Sequence, residues 1–249
     1  MPGWLQAGGW GLLAGSALVL GALPGYLAHV PAKVIASVMA FGSGVLLSAA
    51  AFELISDAHD RGGLAPTVAG AVTGALAFSG SNALLARRGA RHRKRSGDQQ
   101  PSEEQQSGSG TAIALGALLD GVPESVVIGA GLVTGGAVST VTVVAVFLSN
   151  VPEGLSSASG MRRAGRGRAY VFGLWATIAV ISGLAAVSGF VLLDQAPVSV
   201  LAAITALAGG AIITMIADTM IPEAFETAHL LSGLITVAGF LTAFTLSHL

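Results

Sequence analysis

Eight apolar runs, each long enough to cross the hydrocarbon core of a bilayer, occupy most of the chain: residues 5–27, 33–56, 64–86, 111–133, 137–160, 168–193, 198–221 and 229–247. A crossing takes about 20 predominantly apolar residues as a helix, and in lipid a spanning segment must satisfy all its own backbone polar groups. The runs therefore predict an all-α integral membrane protein of eight transmembrane helices, folded as one transmembrane domain over residues 1–249. Hydrophobic residues make up 53% of the chain and charged residues 10%, outside the range of soluble domains. No Lys or Arg precedes the apolar run 12–23, so the first run does not read as a cleaved signal peptide and is expected to stay as a helix. The absence of cysteine excludes disulfides, thiolate metal sites and thiol redox chemistry.

Ten of the twelve basic residues fall in two connections: Arg87, Arg88, Arg91, Arg93, Lys94 and Arg95 after the third run, and Arg162, Arg163, Arg166 and Arg168 after the fifth. The positive-inside rule places both in the cytoplasm. With eight spans, both termini of a multi-pass cell-membrane protein are then extracytoplasmic. Residues 96–110 are polar and Gly/Ser/Gln-rich and bury too little apolar surface to order themselves. The whole 87–110 connection is expected to be a flexible basic and polar cytoplasmic loop. Residues 40–58 align without a gap on 206–224, with small, aliphatic and acidic residues largely in step. These segments lie in the second and seventh helices, and an odd offset makes the copies antiparallel, as in the inverted repeats of many transporters.

The chemistry concentrates in two intramembrane motifs, Asp120-Gly121-Val122-Pro123-Glu124-Ser125 and Ser149-Asn150-Val151-Pro152-Glu153-Gly154. Asp120 and Glu124 are four residues apart and Asn150 and Glu153 three apart, so each pair shares a helix face. An ionised carboxylate at the bilayer centre costs about 2.5–3.5 kcal/mol even on lenient scales. No Lys or Arg lies in either motif or in the facing spans, which leaves a cation, a cavity or a neutral acid pair. Pro123 and Pro152 lack an N–H and free the carbonyls of Leu119 and Leu148. Backbone broken in this way at membrane depth is expected to line a pathway. The candidate metal ligands are Asp120, Glu124, Asn150, Glu153, Glu53 and Ser149, with Asp218 and Ser125 as pathway residues. Ser156 is a further lining hydroxyl. Glu223 and Glu226 sit near enough to the cytoplasmic end to be solvated, and the five histidines read as surface residues.

Eight spans, a long basic loop between the third and fourth, and adjacent Pro-Glu motifs in the fourth and fifth resemble the ZIP (Zrt-, Irt-like protein) family of divalent metal transporters. Asn150-Val151-Pro152-Glu153-Gly154 carries the likeness most specifically, and Ile221-Pro222-Glu223-Ala224 adds to it. The resemblance implies a 3+2+3 inverted-repeat fold and a metal site shared between the fourth and fifth helices. The chain departs from the bacterial pattern His-Asn-x-Pro-Glu-Gly: Asp120 and Gly121 replace the first His-Asn, and Ser149 replaces the second histidine. The sixth helix, with Ser182-Gly183-Leu184-Ala185-Ala186, lacks a glutamate that bridges a second metal in some relatives, so one main site is expected. An all-oxygen site favours Mn, Mg or Fe(II), relative to zinc, more than an imidazole site does, although carboxylates also bind zinc.

The functional expectation is uptake of a divalent metal, Zn²⁺ or a harder ion such as Mn²⁺ or Fe²⁺, by alternating access. The ion is the transported substrate and no other cofactor is implied. The alternative is a non-transporting sensor or structural partner on the same fold. No ATP-binding motif and no nucleophile–base pair is present, so neither a primary pump nor an enzyme is expected. The partners expected are the metal ion and the lipid bilayer, with room for a homodimer and none for nucleic acid.

Overall fold

A computed structural model describes residues 1–135 and 140–248, and all its regular structure is helical. The helices are α1 (Gly3–Leu27), α2 (Ala32–Gly62), α3 (Leu64–Ala90), α4 (Ser109–Gly135), α5 (Thr140–Arg163), α6 (Arg168–Leu193), α7 (Val198–Ala228) and α8 (Leu230–Leu246). The first seven are long and apolar enough to cross a membrane. α8 is apolar but has 17 residues, about 25 Å at 1.5 Å per residue. The start expected for the fifth span, residue 137, lies outside the described residues.

Pairing is dominated by α2 with α7, α1 with α5 and α6, α4 with α6, α2 with α8, and α3 with α7, while α2 against α5 and α4 against α7 join these groups. Small residues set the approach. A Cβ placed on Gly21 would collide with the Val151 carbonyl, and one on Gly154 with the Leu18 carbonyl, so α1 and α5 meet backbone to backbone. Without a hydrophobic drive between helices in lipid, such close contact is the main source of association. Large apolar side chains instead coat the outside, among them Leu76, Leu184, Leu192 and Leu234.

Two sequence expectations need correction. Pro123 and Pro152 lie inside uninterrupted α-helices. The irregular backbone is elsewhere, as π-helical turns at Ala49–Ser56 of α2 and Ile216–Met220 of α7, with a further one ending α3 at Ala86–Ala90. A neighbouring helix can absorb a proline without breaking the chain, whereas Pro222, just past the π-turn of α7, withholds the N–H that a regular turn needs.

The 87–110 connection, expected to be a flexible loop, packs into one end of the bundle. At Gly89 the backbone takes φ +100, a left-handed conformation open to glycine, and the chain turns back toward α4 and α5. Arg93, Lys94, Ser96 and Gln100 are buried. Gln100 Nε2 lies 3.1, 2.9 and 3.2 Å from the carbonyls of Arg93, Arg95 and Ser157. Arg166 reaches Glu103 at 2.7 Å.

Candidate functional site

Asp120 lies eleven residues from the start of α4, and Glu153 ten residues from the end of α5. At 1.5 Å per residue each is about 15 Å inside the same end of the bundle, so antiparallel helices bring the motifs to one depth. Asp120, Glu124 and Glu153 are all buried, at 3%, 2% and 5% exposure.

Two loop cations occupy the acids. Arg93 grips Asp120 with a two-pronged pair, Nε to Oδ2 at 2.9 Å and Nη2 to Oδ1 at 2.8 Å, and its Nη1 donates to Asn82 Oδ1 at 2.7 Å. This fork geometry is the strongest form of carboxylate recognition. Lys94 Nζ sits between the helices, 2.5 Å from Glu153 Oε1 and 3.4 Å from Asp120 Oδ2. The partner absent from the spans thus comes from the loop, across 27 and 59 positions of sequence.

Glu124 is different. Among the described residues its Oε1 is buried with no hydrogen-bond partner. It borders a cavity of about 10 Å³ lined by Leu46, Ala49, Ala50, Leu54, Thr142 and Val146, among others. A second cavity, also about 10 Å³, lies on the loop side among Arg93, Lys94, Asp120, Glu153, Ser157 and Trp175. Each has room for about one water molecule, too little for a hydrated ion.

The other predicted residues divide. Asn150 is buried, and its Nδ2 donates to the Ala14 carbonyl at 2.9 Å, tying α5 to α1. Ser149 and Ser125 are buried and donate to Val146 and Gly121 carbonyls of their own helices at 2.9 and 2.8 Å. Their protons are spent on backbone, although each oxygen keeps an acceptor face. Glu53 and Asp218 lie on the π-helical turns of α2 and α7, Glu53 half-buried and Asp218 exposed but near enough to interact with Arg93. Of the histidines, His92 is half-buried and the other four are exposed. Among the described residues no three His, Asp or Glu side chains are grouped to hold a metal ion; Lys94 lies between the carboxylates of α4 and α5.

Glu223 is a correction, because it is buried rather than solvated. It accepts from Ser96 N at 2.9 Å and Ser96 Oγ at 2.7 Å. Ser156 Oγ lies 3.0 Å from it and 2.6 Å from the Lys94 carbonyl, and its single proton serves one acceptor at a time. Glu226 is half-exposed and paired with Arg95. Around them is a polar cavity of about 190 Å³ bordered by Ser96, Gln99, Arg163, Glu223 and Glu226.

Sequence reasoning missed Arg93, Lys94 and Gln100. The available signal was the unmet charge of three intramembrane acids beside a loop with six basic residues. A scan against family models finds no match for this chain, and a search of curated proteins finds none.

Proposed function

We propose that the protein carries a divalent metal cation across the membrane, into the cytoplasm, through a site built on Asp120, Glu124 and Glu153. The observation that carries this reading is the convergence of buried carboxylates from two antiparallel helices at one depth in a bundle of membrane-spanning length. Intramembrane acids are costly and are retained mainly for ion or proton pathways. Asn150, Ser149 and Glu53 complete the candidate ligands, and Asp218 and Ser125 the pathway. The ion is Zn²⁺ or a harder dication such as Mn²⁺ or Fe²⁺. Three carboxylates overcompensate one dication, so protonation of one accompanies release and uptake depends on pH.

The inverted-repeat architecture of ZIP-like transporters is supported by the packing. Exchanging α1 with α6, α2 with α7, α3 with α8 and α4 with α5 maps the pairings onto one another. It also maps individual contacts. Gly44 faces the Thr236 carbonyl and Gly239 that of Phe41, while Gly210 faces the Ala71 carbonyl and Gly74 that of Leu207. Gly21 faces Val151 and Gly154 faces Leu18, while Gly189 faces Val126 and Gly129 faces Ala186. In the alignment of 40–58 on 206–224, the π-turn at Ala49–Ser56 falls on 215–222, which contains the π-turn of α7.

The test is uptake into proteoliposomes of Zn, Mn, Fe(II), Co, Cd and Mg by the parent, Glu124→Ala and Glu153→Ala. Saturable uptake lost in both variants is expected; no uptake of any ion by the parent contradicts the proposal. The second reading, a non-transporting sensor or structural partner, is favoured by the Arg93 and Lys94 pairs, which satisfy Asp120 and Glu153 without a metal. Metal binding without flux would select it.

A further inference from the structure

We infer that the 87–110 connection is a releasable plug, whose Arg93 and Lys94 stand in the acid site as a tethered substitute for a divalent cation. This rests on reading that site as a cation site. The two side chains bring two positive charges to Asp120 and Glu153, the charge of one dication, and Lys94 Nζ occupies the position between the carboxylates of α4 and α5. An ion approaching from this end must displace them.

The attachment is built for release. Residues 91–108 contain no Ala, Val, Leu, Ile, Met, Phe, Tyr or Trp, so little apolar burial anchors the segment beyond the stems of Arg93 and Lys94. Polar contacts hold it: Gln100 on three carbonyls, Ser96 on Glu223, Arg95 on Glu226 and the Pro222 carbonyl, and Glu103 on Arg166. Hydrogen bonds that water can replace contribute little net, so the hold of the segment rests chiefly on the ion pairs of Arg93 and Lys94, which a divalent cation at the same carboxylates would replace. The cations also leave Glu124 Oε1 without a partner, so the plug fills the acid site incompletely.

The chain has no cysteine, which permits a single reporter. Ser157 is buried at 2% beside Arg93 and Lys94, and Ser157→Cys changes one atom. Its maleimide labelling rate is measured in the purified full chain, alone and combined with Gln100→Ala or with Arg93→Gln plus Lys94→Gln. Gln100 touches none of the acids, so Gln100→Ala loosens the plug while leaving the site intact. Labelling at least about tenfold faster in both combinations is expected, since about 1.4 kcal/mol of lost docking suffices. If the double charge variant does not fold, Gln100→Ala alone decides.

Mn²⁺, which competes less for the introduced thiol than zinc does, is then added to Ser157→Cys alone. Faster labelling supports both plug and cation site. Faster labelling in the variants with no response to Mn²⁺, Co²⁺ or Mg²⁺ supports the plug and counts against the metal reading. Unchanged labelling in folded Gln100→Ala overturns the plug, and leaves a fixed structural ion pair whatever the metal experiments show.

Discussion

At the scale of single residues, what sets this molecule apart is where Arg93 and Lys94 have gone. Breaking a fixed buried ion pair from one side strands a charge and costs about 3–5 kcal/mol. A plug behaves otherwise, because Arg93 can withdraw to water. Asp120→Asn, whose amide oxygen still accepts one of the two Arg93 hydrogen bonds, is therefore expected to cost about 1.5–3 kcal/mol, the worth of one hydrogen bond to a charged group, read from denaturation in detergent; a loss of about 4 kcal/mol or more would favour a fixed pair. Glu103 offers a pH test. The hydrogen bond from Arg166, helped by the N–H groups of Gly110 and Gly108, pulls its carboxyl down to about 2. A depressed carboxyl contributes stability above its unfolded value of 4.5, and that contribution is lost as pH falls through about 2. Loop docking, followed by Ser157→Cys labelling, should thus be insensitive to this group between about pH 5 and 8, and Arg166→Gln should loosen it throughout that range. The residues of the two motifs were legible because an acid after a proline in an apolar run is chemically anomalous on its face. Their partners were not, since a basic loop reads as solvated until three dimensions show where it folds.

At the scale of elements, span positions followed from hydropathy to within a few residues for most helices. α2 and α7 run on to Gly62 and Ala228, past the expected ends at 56 and 221, because the segments beyond are polar on one side and helical all the same. Proline was the misleading signal: it predicts a break at Pro123 and Pro152, yet packed helices carry both, and the π-turns lie in α2, α3 and α7. Glycine was informative only in part, since pattern alone does not say which glycines meet a backbone. Gly154→Ala would drive a methyl into the Leu18 carbonyl, and overpacking of this kind costs about 1–3 kcal/mol. A methyl added to Gly173 on α6 would meet nothing within 4 Å, so Gly173→Ala should be neutral or stabilise by up to about 1 kcal/mol through helix propensity. Equal losses for the two would count against backbone contact as the organising interaction.

At the scale of the whole molecule, the closure of the pairings under exchange of the two halves predicts that equivalent glycines have equivalent effects. Gly44→Ala and Gly210→Ala, each aimed at a carbonyl of the neighbouring helix, should lower stability to within about 0.5 kcal/mol of each other, measured side by side. In sequence the likeness of the two halves is confined to 40–58 and 206–224; between α1 and α6 and between α3 and α8 it rests on the placement of small residues alone. The bundle encloses Asp120 and Glu153 at one depth and Glu124 one helical turn deeper, and its own loop packs onto them from one end. Whether Asp120, Glu124 and Glu153 constitute a divalent-cation site is decided by titrating purified protein with Mn²⁺ and Zn²⁺ alongside Glu124→Ala/Glu153→Ala. A cation site requires saturable binding by the parent, tightened by Gln100→Ala and abolished in the double variant; binding of the same strength in parent and double variant would contradict it.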